Sequence, residues 1–186
     1  MLRTLTPTRD YSLTYRMIGV ALGALVTILS ARVVIPMDPV PFTLQPLAVL
    51  LAGMVLGARD GALSQLAYVA LIAVGLPLDA NARGQAALFG PTGGYLVGFV
   101  AAACVSGLLV ERAGTRLWQR WLTGVAGIAV IYLCGLPVLM LTRGLDLAMA
   151  WAAGAAPFIV PDLVKALIAA AATEGGRALL QRIQPQ

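Results

Sequence analysis

Histidine is absent from this 186-residue chain, and lysine occurs only once, as Lys165. Without histidine there is no HExxH zinc site, no Ser–His dyad and no histidine proton relay. Val164, not glycine, precedes the single lysine, so the chain has no P-loop and is not itself an ATPase. Cys104 and Cys134 lie in separate apolar segments and are interpreted as small core residues rather than a disulfide or metal site. We expect neither an enzyme nor a bound cofactor or metal.

Charged residues are also scarce. They make up 11% of the chain, whereas apolar residues make up 60% and the mean hydropathy is +0.88. Soluble domains average about 25% charged and about 45–50% apolar residues, so the composition indicates an integral membrane protein with a single domain, residues 1–186. The net charge of +5 would suit nucleic acid, but the arginines are spread singly across short loops. Membrane orientation explains that spacing better, and we expect no nucleic-acid partner.

Six apolar stretches follow one another and predict an all-α bundle of six transmembrane helices. The approximate spans are residues 17–35, 44–58, 62–76, 93–110, 121–141 and 163–180. A full span needs about 20 residues. The second and third spans, only about 22 Å long as helices, should tilt little, thin the bilayer or stop at a cavity. The first stretch resembles a signal peptide, but five more follow, so we interpret it as a retained span after a cytoplasmic segment, residues 1–16.

The arginines predict the orientation of this bundle. Basic residues are in excess on the cytoplasmic side of membrane proteins. If the N-terminus is cytoplasmic, two arginines fall outside, Arg83 and Arg143, and nine fall inside: Arg3, Arg9, Arg16, Arg59, Arg112, Arg116, Arg120, Arg177 and Arg182. Both termini are therefore predicted to be cytoplasmic.

Small residues recur at helical spacing in three of the stretches, and such stripes allow helices to approach closely. In the fourth and sixth stretches they favour packing within the bundle. The stripe in the first stretch could equally meet another subunit. The stripes are Gly19 and Gly23; Gly94, Gly98 and Ala102; and Ala166, Ala169 and Ala170.

Lys165 lies inside the last apolar stretch, three residues after Asp162. Residues at i and i+3 share one helix face, about 5–6 Å apart, and a charge at membrane depth costs roughly 2.5–3.5 kcal/mol. Asp162 alone could equally serve the start of the helix, predicted at Pro161–Asp162, because a carboxylate is favoured in the first turn. A cation such as Lys165 is disfavoured near the N-terminus of a helix. We therefore interpret the pair as a functional site.

Further candidate groups fall on the same, outer side of the membrane. Thr92 is predicted to cap the fourth helix, and Gly93 would leave N–H groups bare for an accepting ligand group, although such glycines are also typical of tight turns. Tyr95 offers a ring and a hydroxyl one turn later. Asn81 and Arg83 lie in the preceding loop. An arginine fork pairs well with a carboxylate, but an external arginine is often only solvated.

The first outer loop carries Phe42 and Gln45 between several prolines. Proline restricts the backbone, so the loop should be stiff. It is either a lid over the site or a short rigid connection.

Four strings of residues together resemble one family. They are PVPFTLQ at 39–45, LLAGMVLGARDGALSQLAYVALIAVGLP at 50–77, GPTGGYLVGF at 90–99 and PFIVPDLVKA at 157–166. Each is similar to the BioY family, the biotin-specific S-components of energy-coupling-factor (ECF) vitamin transporters. The resemblance implies six helices in a bacterial plasma membrane and capture of biotin from outside. It also implies a transmembrane coupling subunit and two ATPase subunits as partners, which agrees with the missing P-loop.

The resemblance also implies site residues. The PDxxK motif maps to Asp162 and Lys165, and the loop ahead of GPTGGY maps less closely to Asn81 and Arg83. We expect Asp162 to accept a ureido N–H of biotin and Lys165 to contact a biotin oxygen, with Tyr95 and Phe42 beside the ring system. Gln45 and Gly93 complete the predicted site. The resemblance also implies a contact with the coupling subunit, which family members make through an AxxxA stripe on the first helix. At that place this chain has Gly19, Gly23 and Ala24, and we expect these residues to make the contact.

Three other functions remain open from sequence. The chain could bind another small vitamin on the same scaffold, or it could carry biotin without ATPase partners. An intramembrane enzyme is disfavoured, because Asp162 has no second carboxylate beside it in the sequence. A purely structural subunit would leave the polar residues on the outer side unexplained.

Overall fold

The computed structural model describes residues 13–183, with side chains through residue 176. The first twelve residues of the predicted cytoplasmic segment, with Arg3 and Arg9, and the side chains of Arg177 and Arg182 lie outside this range. Six helices are joined by a two-stranded antiparallel hairpin and two 3-10 turns. The elements are α1 Leu13–Ala31, β1 Val34–Ile35, β2 Phe42–Thr43, α2 Gln45–Ala73, a turn at Gly84–Ala87, α3 Gly93–Arg112, α4 Leu117–Arg143, α5 Leu147–Gly154, a turn at Ala156–Phe158, and α6 Ile159–Ile183.

The prediction of an all-helical membrane protein is confirmed at the level of fold class. Within the described residues, five helical stretches are long and apolar enough to cross a bilayer: α1, α2, α3, α4 and residues 147–176. Many large apolar side chains are exposed on them, such as Leu22, Leu133 and Val164. A surface of this kind suits lipid rather than water.

Helix α2 reverses direction at Gly57, where the backbone has φ 84° and ψ 174°. The Gln45 amide donates to the Tyr68 hydroxyl at 2.7 Å, although these residues would be about 35 Å apart on a straight helix. Gly61 meanwhile packs on Gly53, with no space for a side chain between them. The residues on either side of Gly57 therefore form two antiparallel arms. The predicted break between the spans 44–58 and 62–76, at Gly57 to Gly61, is corrected to one residue, because glycine alone adopts this backbone conformation readily.

Small residues let the helices pack closely, as predicted for α3 and α6. A side chain at Gly98 would meet Cys134 of α4 at 3.0 Å, and one at Gly124 would meet Ala166 of α6 at the same distance. The stripes in α3 and α6 therefore serve packing within this chain. Cys104 and Cys134 are free cysteines.

Two predicted helix boundaries are wrong, and one helix was not predicted. Residues 34–35 do not extend the first helix; they pair with residues 42–43, because Val34 and Ile35 precede Pro36 and β-branched residues before proline favour extended backbone. Helix α6 begins at Ile159, continuous with the preceding 3-10 turn, so that Pro161 lies within its first turn. Between α4 and α6 the loop contains an unpredicted helix, α5, whose first residues are capped by the Asp146 carboxylate accepting from Met149 N at 2.8 Å.

The end of the bundle away from the hairpin is held by polar contacts. Arg16 of α1 binds both carboxylate oxygens of Asp60. The Glu111 carboxylate accepts from Ala58 N at 3.1 Å, just after the reversal. Arg120, 3% exposed, pairs with Glu174 at 2.8 Å. These contacts join α1 to α2, α2 to α3, and α4 to α6 at one end of the bundle.

Replacing Glu174 with glutamine should destabilise the fold without touching the opposite end. The change removes the Glu174 carboxylate that pairs with the buried Arg120 cation, and breaking a buried pair costs roughly 3–5 kcal/mol. Because Glu174 is 22% exposed, we expect a smaller cost than that, about 2–3 kcal/mol. Thermal unfolding in detergent measures the loss, with the exposed Arg59→Gln as a control variant. An unchanged midpoint would contradict the structural role of this pair.

Candidate functional site

A cavity lies at the end of the bundle capped by the hairpin. Its volume is about 70 Å³. Its wall is formed by the hairpin, the start of α2, the loop before α3, and helices α3, α4 and α6. The polar lining residues are Thr43, Gln45, Asp79, Asn81, Thr92, Tyr95, Tyr132, Asp162 and Lys165, and the apolar ones include Val40, Leu96, Phe99, Ile131 and Phe158.

Asp162 and Lys165 form an ion pair in the wall of this cavity. The Lys165 ammonium donates to Asp162 Oδ1 at 2.7 Å, and the side chains are only 5% and 6% exposed. The ammonium also donates to the backbone carbonyl of Thr43 at 2.7 Å. Two of its three N–H donors are thus used within the protein. Lys165 therefore links α6 to the hairpin over the cavity.

Aromatic rings lie behind and beside this pair. The Lys165 ammonium is 4.1 Å from the centroid of the Phe42 ring, a distance at which a cation is attracted to the ring face. Phe42 stacks on Phe158 with 6.4 Å between centroids. Phe158 lines the cavity, whereas Phe42 is not among its lining residues. The Phe42 ring thus lies against Lys165, and Phe158 forms part of the cavity wall; contact of Phe42 with the ligand stays a prediction.

The other oxygen of Asp162 is held from α4. The hydroxyl of Tyr132 donates to Asp162 Oδ2 at 2.6 Å, and Tyr132 lines the cavity. Sequence reasoning missed this residue. The available signal was a tyrosine within an apolar span, since a buried Tyr hydroxyl usually has a hydrogen-bond partner.

Gln45 lines the cavity with its amide fixed by neighbours. Its Nε2 donates to the Tyr68 hydroxyl at 2.7 Å, and the Tyr68 hydroxyl donates to Leu78 O at 3.3 Å. The Thr43 hydroxyl donates to Gln45 Oε1 at 3.3 Å. The predicted residue Gln45 thus connects the hairpin, both arms of α2 and the loop before α3.

The loop before α3 is organised by Asp79. Its buried carboxylate accepts from the backbone N–H groups of Asn81 and Gly84, at 3.1 and 2.7 Å. Ala82 and Gly84 adopt positive φ, 54° and 59°, so the chain turns sharply here. The turn brings Asn81 to the cavity wall and leaves Arg83 exposed and outside the lining.

The three residues predicted at the start of α3 have different surroundings in the structure. Thr92 is the N-cap residue, but its side chain makes no capping hydrogen bond; its hydroxyl donates to Ala87 O at 3.4 Å. Gly93 packs against the backbone of Leu88 and is absent from the cavity lining. Tyr95 lines the cavity, while its hydroxyl donates to Gly154 O at 2.9 Å. Close packing therefore explains Gly93 better than a ligand contact does.

The residues predicted for a coupling subunit lie on the side of α1 that faces α2. A side chain at Gly19 would meet Leu56 at 3.2 Å, and one at Gly23 would meet Ser64 at 2.9 Å. Ala24 is 5% exposed. Gly19 and Gly23 also border an apolar groove of about 300 Å³ between α1 and the first arm of α2. Contact of these three residues with a coupling subunit remains a prediction.

Comparison with known proteins identifies the family. The BioY family profile matches residues 3–182. The chain is 44% identical over 144 residues to the biotin transporter BioY of Thermotoga maritima, covering 77% of this chain and 84% of that one. It is 39% identical over 174 residues to the biotin transporter BioY of Rhizobium etli, covering 88% and 90%.

A solved structure confirms the fold. The crystal structure of the S-component for biotin from an ECF-type ABC transporter superposes with a TM-score of 0.83 at 22% identity, covering 92% of this chain and 95% of that one. At this identity the likeness concerns the fold alone. The profile match, which extends over nearly the whole sequence, and the identity to curated relatives show that the chain belongs to the BioY family.

Proposed function

We propose that this chain is the biotin-binding membrane subunit of an ECF-type transporter and takes up biotin from outside the cell. The observation that carries the proposal is the ion pair of Asp162 and Lys165, buried in the wall of the cavity beneath the hairpin. A buried ionisable pair in a membrane helix marks a functional site. Relatives at 39–44% identity are named biotin transporters.

The chemistry of the cavity matches that of biotin. The ureido group presents two N–H donors and one strong acceptor, the ring system is apolar, and the tail ends in a carboxylate. Asp162 supplies an acceptor and Lys165 a cationic donor, as the sequence predicts. Leu96, Phe99 and Phe158 supply an apolar wall. A small number of placed polar groups in a largely apolar pocket is typical of small-molecule sites.

The reversal of α2 at Gly57 supports a topology with six spans. We propose that its two arms cross the membrane separately, giving six spans with both termini in the cytoplasm. Their antiparallel arrangement supports this count, and the nine-to-two distribution of arginines supports the orientation. The cavity would then open outward. Labelling of single cysteines introduced at Arg59 and Arg83 by a membrane-impermeant maleimide tests the orientation, which requires reaction at 83 only.

ATP hydrolysis would come from partner subunits, because this chain has no P-loop. We propose a coupling subunit that contacts the side of α1 carrying Gly19, Gly23 and Ala24, with two ATPase subunits bound to it. The alternative, a self-sufficient carrier, predicts biotin uptake by cells that express this chain alone. Uptake that appears only when the coupling and ATPase subunits are co-expressed would exclude that alternative.

The cavity beneath the hairpin is small for a ligand of the size of biotin. A volume of about 70 Å³ is well below the roughly 300–1,000 Å³ of typical ligand pockets, so binding of biotin requires the hairpin to move. Lys165 holds the hairpin at the Thr43 carbonyl, and Arg143 at the end of α4 holds it through Asp38 at 2.5 Å. We propose that the hairpin acts as the lid.

Replacing Asp38 with asparagine should therefore speed both biotin entry and release. The Asp38–Arg143 pair is exposed, and exposed pairs contribute about 0–1 kcal/mol, so each rate should rise at most about fivefold. Stopped-flow tryptophan fluorescence measures both rates. Asp146→Asn, in the short connection between α4 and α5, serves as the control, because asparagine keeps the N-cap acceptor. Unchanged rates would show that this pair does not restrain the lid.

Biotin titrated calorimetrically into the purified chain tests the proposed function, beside desthiobiotin, thiamine and riboflavin. Tight binding selective for biotin is the expected result. Tighter binding of thiamine or riboflavin would leave the fold unchanged and would show that the substrate is a different vitamin. No binding of biotin by folded protein would contradict the proposal.

A further inference from the structure

The hydroxyl of Tyr132 lies in the cavity wall and has no part in the biotin contacts proposed above. It lies in α4 between apolar neighbours, and only 9% of the residue is exposed. Its O–H donates to Asp162 Oδ2 at 2.6 Å, within the range of about 2.5–2.7 Å that hydroxyl donors reach with carboxylates. Such hydrogen bonds are roughly twice as strong as those between neutral groups.

We propose that Tyr132 is a positioning residue, which holds the Asp162 carboxylate in the orientation that receives a ureido N–H of biotin. This inference rests on the proposed function. Lys165 lies one turn further along the same helix as Asp162, so this contact does not connect the carboxylate to α4. Tyr132 contacts the second oxygen from α4, thirty residues away in sequence. Two donors on different helices fix the plane of the carboxylate.

This arrangement leaves the carboxylate able to bind a ligand. An ionised carboxylate has about four acceptor positions, of which Lys165 and Tyr132 occupy one on each oxygen. A ligand N–H can therefore bind Asp162 without displacing either donor. An acceptor that is already oriented loses less conformational freedom on binding, which increases affinity. The hydroxyl thus acts on biotin through Asp162.

A direct contact of Tyr132 with biotin, or simple filling of the core, would also make this residue matter. A double-mutant cycle separates these roles, because coupling appears only between residues that act together. Tyr132→Phe removes the hydroxyl and keeps the ring. Tyr95→Phe is the matched control, since its hydroxyl lies in the same cavity and donates to Gly154 O rather than to Asp162. Each change is made in the wild-type chain and in Asp162→Ala.

Calorimetric titration of biotin gives the result. We expect Tyr132→Phe to weaken binding about tenfold or more in the wild-type background, as for other hydrogen bonds to charged groups. In the Asp162→Ala background its further effect should fall to within about twofold. Tyr95→Phe should change the Kd by the same factor in both backgrounds. If Asp162→Ala does not fold, Asp162→Leu replaces it, since leucine fills the space of the side chain without offering an acceptor to Tyr132.

Two outcomes would overturn the positioning role. One is an equal loss from Tyr132→Phe with and without the Asp162 carboxylate. The other is unchanged affinity in a folded Tyr132→Phe protein. A wild-type chain that binds no biotin would instead remove the proposed function, and the positioning role with it, before any variant is compared.

Discussion

Replacing Lys165 with methionine should weaken biotin binding about 10- to 100-fold, because a hydrogen bond to a charged group contributes about 1.5–3 kcal/mol. It should also lower thermal stability, because breaking a buried pair costs roughly 3–5 kcal/mol. The variant loses a hydrogen-bond donor to the ligand. It also removes the Lys165 ammonium from the buried Asp162 carboxylate, which keeps its hydrogen bond from Tyr132. It also frees the hairpin from the ammonium that binds the Thr43 carbonyl. Calorimetric titration of biotin in detergent measures the change.

The control for this prediction is Arg59→Gln, which removes one positive charge from an exposed position at the reversal of α2. Its affinity should match that of the wild type. The double variant Asp162→Asn with Lys165→Met removes both buried charges, and it should recover thermal stability without recovering affinity. A Lys165→Met protein that is folded and binds biotin as tightly as the wild type would contradict the assignment of this pair.

Replacing Gly57 with alanine should lower the thermal stability of the bundle. The backbone there has φ 84° and ψ 174°, a region essentially restricted to glycine, and forcing another residue into it costs about 1–3 kcal/mol. The reversal cannot shift easily, because α3 packs against it: a side chain at Gly107 would meet Ala58 at about 2.5 Å. Thermal unfolding in detergent and the yield of folded protein measure the effect.

Gly175→Ala provides the matched control. Gly175 lies within α6, and an added methyl group there would meet no atom within 4 Å. Alanine is the better helix former by about 1 kcal/mol, so this variant should be as stable as the wild type or more so. If Gly57→Ala were as stable as Gly175→Ala, the two-armed description of α2 would be wrong.

The parts of the site that sequence predicted are those set by short spacing. Asp162 and Lys165 share a helix face because they are three residues apart, and the structure brings them into contact. The contacts of Lys165 with Thr43 and of Asp162 with Tyr132 span 122 and 30 residues. Such contacts depend on how whole helices pack, which no local pattern specifies.

The differences between the predicted and the observed fold also arise from packing and pairing that no local pattern specifies. Sequence predicted a break near Gly57 and Gly61, but which glycine takes a positive φ depends on the packing of Gly53 and Gly61 between the arms. The short hairpin depends on pairing of residues 34–35 with 42–43 across a proline-rich loop. Helix α5 is eight residues long, too short for hydrophobic periodicity to predict, although Asp146 is a recognisable N-cap.

A crystal structure of the chain with biotin bound tests the central claim most directly. We expect the ureido group to lie in the cavity beneath the hairpin, with one N–H donating to the Asp162 carboxylate and a biotin oxygen near the Lys165 ammonium. Tyr132 should still donate to Asp162. Biotin bound elsewhere, for example in the apolar groove between α1 and α2, with the Asp162–Lys165 pair out of contact with it, would contradict the account.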